Sequence, residues 1–218
     1  MNSIAQIEYS QLNVGPMQNM SYIIWNPTSK NCFLVDPAWD APFINEELKK
    51  NQLNPVFILL THGHHDHHNA VEELMKTHDI PIYISKEEAD ILIPDYTNIT
   101  QIDPHTAKLR LDDSDLTLFA TPGHSPGGVC IKIEHLLITG DTLFINGCGR
   151  CDLGNSNVND MYNSLLLIKT LPDELIVLPG HDYGNVSTQT LGMEKKTNRF
   201  LICTSKEQFI KKRMRKIG

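Results

Sequence analysis

Short apolar runs separated by Gly-, Pro- and Asn-rich turns dominate the chain, a pattern that predicts many strands and few long helices. Residues 4–9 alternate weakly, 20–25 are strongly β-prone, and 31–35 end at Asp36-Pro37. Gly15-Pro16 and Asn26-Pro27-Thr28 supply turn chemistry between these runs. Residues 41–52 have helical composition and are closed by Asn54-Pro55, after which 56–60 read as a buried strand. A helix is expected over 69–77, a short strand over 81–84 and a helix over 85–92. The polar stretch 94–108, with two prolines, reads as a long excursion. Strands are expected over 116–120, 129–133 and 136–139, followed by a loop-rich segment over 144–157. A helix over 158–170 carries apolar residues at Met161, Leu165 and Ile168, then come a strand over 174–178 and a helical tail from 206 onward. Strand-rich blocks each followed by helices predict an α/β sandwich with helices outside two sheets, and one domain over residues 1–218.

Composition narrows the class. A chain of 218 residues is long enough to bury a sizeable core as one domain. A net charge of -7, from 26 acidic and 19 basic residues, does not favour general nucleic-acid binding. No apolar stretch has the length needed to span a bilayer. Residues 1–6 lack the basic start and apolar block of a signal peptide, so a cytoplasmic protein is expected. Five scattered cysteines do not form a disulfide framework. Cys148 and Cys151 form a C-x-x-C that reads as a redox pair or half a zinc site, with no second pair to complete four ligands. At the C-terminus Lys206, Lys211, Lys212, Arg213, Arg215 and Lys216 crowd together, either as a solvated helix face or as a dock for an acidic partner.

The densest chemistry lies in Thr61-His62-Gly63-His64-His65-Asp66-His67-His68, which holds five imidazoles and one carboxylate in eight positions. Imidazole suits zinc and iron, and a carboxylate adds the negative charge a second ion requires. A surface chelator or a purification tag can also be His-rich, but this tract is internal and sits between a strand and a helix. Three later blocks repeat the placement, each with its candidate donor just past an apolar run: His124, Asp141 and His181. Gly123, Gly140 and Gly180 directly precede them, and glycine permits the tight turns that aim such side chains.

His62-x-His64-x-Asp66-His67, then His124, Asp141 and His181, in this order and at these separations, resemble the metallo-β-lactamase fold over about residues 20–200. The resemblance implies a four-layer αβ/βα sandwich and two zinc ions per chain, with iron or manganese as other candidates. One ion would be held by His62, His64 and His124 and the other by Asp66, His67 and His181, with Asp141 bridging them. Water shared by two cations loses a proton near neutral pH, and the ions polarise a carbonyl under attack. Asp66 and Asp141 are the catalytic candidates, Asp66 as a hydrogen-bond acceptor for the nucleophile. His65 and His68 fall outside the pattern and read as solvent-facing or supporting residues. Asp36 is a candidate for orienting a ligand imidazole.

Narrower stretches resemble the glyoxalase II branch, which hydrolyses thioesters: residues 140–144, Gly147-Cys148-Gly149-Arg150, 171–173, Pro179-Gly180-His181-Asp182-Tyr183 and 190–198. Glyoxalase II proper has a longer helical C-terminal region that holds glutathione, whereas 37 residues follow His181 here (218 minus 181). Short hydrolases of this shape act in bacterial polyketide clusters on acyl groups bound to carrier protein, and a phosphopantetheine thioester would suit the basic tail. The chain is also similar to the persulfide dioxygenase branch, which would place a single iron on His62, His124 and Asp141. A non-catalytic metal-binding interaction protein is a third reading. The substrate expected is a small-molecule or carrier-bound acyl thioester, with no nucleic acid and no membrane.

Overall fold

The structure, a computed structural model, describes residues 7–90, 96 and 98–215. The start of the strand expected over 4–9, the end of the helix expected over 85–92, the start of the 94–108 excursion and Lys216 lie outside the described residues.

The first sheet is ordered β1 (Glu8–Val14), β2 (Asn19–Trp25), β3 (Asn31–Val35), β4 (Asn54–Leu59), β5 (Ile82–Ser85) and β6 (Ile99–Ile102). β1 to β3 are antiparallel, and β3 to β6 run parallel. The second sheet begins with the meander β7 (Leu109–Leu111), β8 (Ser114–Ala120), β9 (Val129–Ile133) and β10 (Leu136–Gly140). A two-stranded hairpin, β11 (Leu143–Phe144) and β12 (Gly147–Cys148), interrupts it. β13 (Ile176–Pro179) then pairs parallel with β10, and β14 (Gln189–Thr190) closes the far edge. Helices α1 (Ala41–Lys50), α2 (Val71–Leu74) and α3 (Lys86–Ala89) belong to the first half, and α4 (Val158–Lys169), α5 (Leu191–Thr197) and α6 (Lys206–Arg213) to the second.

Period-two alternation makes the layers. All seven residues of β2 are buried, because its two faces serve two cores. Met20, Tyr22 and Ile24 join Phe33, Leu59, Ile131 and Ile138 in the layer between the sheets. Ile23 and Trp25 join Leu34, Ile58, Ile44, Leu48 and Leu74 under the helices outside the first sheet. The reverse face of the second sheet, with Leu137 and Val177, packs against Met161, Leu165 and Ile168 of α4 and Phe209 of α6. The four-layer αβ/βα sandwich expected from the sequence is therefore the architecture observed. Among the described residues, no helix is long and apolar enough to cross a membrane.

Several element boundaries differ from the sequence reading. The first strand lies later, at Glu8–Val14, where one face of an edge strand stays polar and blurs the alternation. The helix expected over 69–77 contracts to the single turn of α2. Within the expected excursion over 94–108 lies β6, an edge strand whose Thr100 and Gln101 are exposed, so its apolar signal is weak.

Phe33 and Phe57 stack in the central layer at a centroid separation of 4.8 Å. Phe33→Ala should lower unfolding free energy by about 3–5 kcal/mol in denaturant titration, as expected for a buried aromatic truncated in a closed core.

Candidate metal centre

Strand geometry brings the donors together. In the second sheet β8, β10 and β13 run the same way, and the segments leaving their C-terminal ends meet the segment that leaves β4 in the first sheet. Those segments carry Thr61 to His67, His124, Asp141 and His181. Gly140 adopts a positive φ of 45° as β10 turns toward Asp141. At Gly180 a side chain would run into the Asp141 carboxylate and the His67 ring.

Four of the five donor imidazoles are held by Nδ1 and offer Nε2. His181 Nδ1–H donates to the Met17 carbonyl at 2.9 Å, and His124 Nδ1–H to the Arg150 carbonyl at 3.0 Å. His67 Nδ1 bonds Asp36 Oδ2 at 3.0 Å. His62 Nδ1 faces Thr61 Oγ1 at 3.0 Å, and that hydroxyl donates to Asp36 Oδ2 at 2.6 Å. Asp36 thus orients two ligand candidates, one directly and one through Thr61, as its strand-end position suggested. Hydrogen bonds of this kind fix the tautomer and leave Nε2 with a lone pair.

The offered atoms converge in two groups. His62 Nε2 and His124 Nε2 lie 3.0 and 2.9 Å from His64 Nδ1. His67 Nε2 and His181 Nε2 are 3.2 Å apart, and Asp66 Oδ2 sits 3.7 and 3.6 Å from them. Asp141 reaches both groups, with Oδ2 3.2 Å from His124 Nε2 and 3.5 Å from His181 Nε2, and Oδ1 3.4 Å from His67 Nε2. Donor atoms around a tetrahedral ion with bonds of about 2.0–2.1 Å lie roughly 3.3 Å apart. The spacing fits, and Asp141 Oδ1 is buried without a hydrogen-bond partner. Asp36, His62 and His67 also cluster, but the carboxylate of Asp36 is already occupied by Thr61 and His67.

Electrostatics point the same way. Burial holds His62 well below the usual imidazole range, with repulsion from His67 adding to it. Burial alone would also lower His67, but Asp141 and the hydrogen-bonded Asp36 outweigh it and push it up to about 9. At Asp141 burial favours the neutral acid, yet His67, His181 and His124 hold the carboxyl well below its ordinary range.

All seven donor candidates from the sequence meet here. Of the two extra histidines, His65 is exposed and His68 is buried, its Nδ1 2.8 Å from the Tyr96 hydroxyl. Burial pushes His68 down to about 4. Cys148 and Cys151 are buried free thiols, and burial pushes Cys151 up to about 11 and Cys148 higher still. A thiol so raised is a poor redox centre.

Two supporting residues escaped the sequence reading. Asn19 Nδ2 donates to both the carbonyl and Oδ2 of Asp66, each at 2.9 Å, and Trp39 Nε1–H donates to Asn19 Oδ1 at 2.8 Å. The buried Glu88 accepts from Gly63 N at 2.7 Å and from Gly127 N at 2.6 Å. It clamps the segment bearing His62 and His64 to the one that follows His124. Neither had a signal: Asn19 follows an ordinary turn, and Glu88 sits in a Lys-Glu-Glu-Ala run that looks like a solvated helix face.

A cavity of about 400 Å³ opens over the centre, walled by His64, Asp66, His181, Phe144, Tyr183 and Arg150 among others. Tyr183 stacks on His181 at 4.7 Å with an interplanar angle of 7°, and Phe144 meets both rings edge-on.

A four-layer αβ/βα sandwich with two donor groups at one edge, joined by a carboxylate, defines the metallo-β-lactamase class. Residues 14–181 match the metallo-beta-lactamase superfamily model, and the chain belongs to that superfamily. It is 32% identical over 199 residues to the probable polyketide biosynthesis zinc-dependent hydrolase PksB of Bacillus subtilis, covering 91% of this chain and 88% of that protein. It is 36% identical over 163 residues to a hydroxyacylglutathione hydrolase of Klebsiella pneumoniae, covering 73% of this chain and 61% of the relative, less than two thirds of that protein's length. Among solved structures, ETHE1 from Myxococcus xanthus superimposes with a TM-score of 0.81 at 28% identity, over 93% of this chain and 88% of that one.

Glu88→Ala removes two acceptors from buried N–H groups and should destabilise the protein by about 2–4 kcal/mol. It should also speed loss of metal to a chelator. A wild-type unfolding midpoint would contradict the clamp.

Proposed function

We propose that the chain is a metal-dependent hydrolase that cleaves an acyl thioester, holding two ions at the edge of the sandwich. His62, His64 and His124 would hold one ion, Asp66, His67 and His181 the other, and Asp141 would touch both. The observation that carries the reading is the placement of Asp141 between two complete three-donor groups. A single iron on His62, His124 and Asp141, as in the dioxygenase reading, leaves Asp66, His67 and His181 without a task. The names of the PksB and hydroxyacylglutathione hydrolase relatives both support hydrolysis, and that of PksB supports zinc.

When bound, two such ions supply Lewis acidity and bring the pKa of water between them near neutrality. The rest falls to the chain. Asp66, anchored by Asn19, presents its carboxylate to the cavity and accepts a hydrogen bond from the attacking water. Water adds to the thioester carbonyl carbon, the C–S bond breaks, and the proton passes to the departing thiolate, leaving a carboxylic acid and a thiol. Phe144 and Tyr183 give the apolar wall against which the acyl or thiol chain rests. The carrier of the acyl group is proposed to be a phosphopantetheine thiol, which suits the basic C-terminal helix.

Elemental analysis of the purified protein should return close to two transition-metal ions per chain, together with turnover of a model acyl thioester. One iron per chain with oxygen uptake on glutathione persulfide would establish the dioxygenase instead. Asp141→Ala should cut thioester turnover by more than about 100-fold and lower the metal count, exceeding the loss usual for groups behind a ligand. Full turnover in that variant would show the centre to be misassigned.

A further inference from the structure

A second cavity, about 560 Å³, adjoins the one over the metal centre and shares Phe144, Arg150 and Tyr183 with it as walls. Its far side is cationic. Arg199 and Arg213 come from different segments, the α5–α6 connection and the end of α6, yet both flank the Phe200 ring. Their guanidinium carbons lie 4.9 and 5.7 Å from its centroid. Lys212 joins the same corner, its Nζ donating to the Arg199 carbonyl at 2.7 Å. Elsewhere Arg110 pairs with Asp115, Arg150 with Asp152 and Lys195 with Asp173. Among the described residues, neither Arg199 nor Arg213 is in ion-pair contact with a carboxylate, and Asp152, which feels the Arg213 charge, is itself paired with Arg150. Arg213 Nε is moreover buried with no hydrogen-bond partner. A half-buried guanidinium short of an acceptor, beside a second one, is a costly arrangement unless an anion completes it.

We infer that Arg199 and Arg213 form a phosphate subsite, which binds the phosphate at the end of a pantetheine arm whose thioester reaches the metal centre. The inference rests on the thioesterase reading and gives the phosphate of the proposed thiol carrier its place in the molecule. Two guanidinium forks beside one another match a single phosphate group, whose several oxygens can accept from both at once, better than the two widely separated carboxylates of a peptide thiol such as glutathione. The shared walls give the arm a route. It passes Arg150, whose own charge is engaged by Asp152 at 2.9 and 3.2 Å, and Tyr183 and Phe144 line its path. The same phosphate chemistry is present in coenzyme A, in free phosphopantetheine and in a carrier protein bearing the arm.

Calorimetry on the metal-loaded protein with the free thiols 4′-phosphopantetheine and pantetheine isolates the phosphate. The phosphorylated thiol should bind about tenfold tighter or more, the effect of one to two charge-assisted contacts, and Arg199→Gln and Arg213→Gln should each remove most of that ratio. Equal binding of the two thiols by the wild-type protein would overturn the subsite without needing any variant. So would a ratio that survives both substitutions, or glutathione binding tighter than phosphopantetheine. Hydrolysis of acyl-pantetheine, which lacks the phosphate, reports separately on the thioesterase reading. Should that substrate remain intact while the binding ratio holds, the reaction assignment fails and the subsite stands. A lower KM for the acyl carrier protein than for acyl-phosphopantetheine would assign the protein-borne source, and equal values the free one.

Discussion

One buried carboxylate, Asp36, sets the geometry on which the candidate centre depends. It follows β3 directly with a positive φ of 47°, and its two oxygens accept from Thr61 N, Thr61 Oγ1 and, at Oδ2, His67 Nδ1. Its carbonyl receives the Ser21 hydroxyl at 2.6 Å, so the ends of β2, β3 and β4 are tied at one point. Through this residue the packing of the first sheet fixes the directions of His62 and His67. An imidazole that could rotate freely would lose much of its value as a ligand, since the ordering would have to occur at binding.

The second sheet is held to the first by equally specific contacts. Tyr22 donates its hydroxyl to the Pro179 carbonyl at 2.6 Å, Met20 N to the Gly180 carbonyl at 2.8 Å, and His181 Nδ1 to Met17 O. On the other side Glu88 and Ser85, around the start of α3, fasten Gly127. The donors come from loops, but these bonds tie the loops to buried strands, which is how precise sites are usually built.

The donor set was legible because its residues are rare in apolar surroundings and recur at strand ends, and Asp36 was legible for the same reason. The clamps were not. Asn19 and Glu88 act through backbone groups 47 and 25 to 39 residues away, and such pairings leave no periodicity behind. The fold was legible where strands are buried on both faces, as in β2 and β10. It was blurred at the sheet edges, where β1 and β6 keep polar residues on an open face and lose the alternation that marks a strand. The basic tail was visible as a charge run, but its partner Arg199 was not, because only the packing of α6 brings the two arginines to one aromatic ring.

The donors are also spread unevenly along the chain. Four of the seven precede residue 70, and the last does not appear until position 181. A polypeptide emerging from its N-terminus therefore exposes a chelating loop long before the carboxylate that would join the two ions exists. Under the proposed assignment, tight loading must await closure of the second sheet, which makes metal affinity a reporter of complete folding. Metal bound across both sheets would in turn hold them closed, so that stripping the ions should loosen the sandwich as a whole and the edge bearing β13 first.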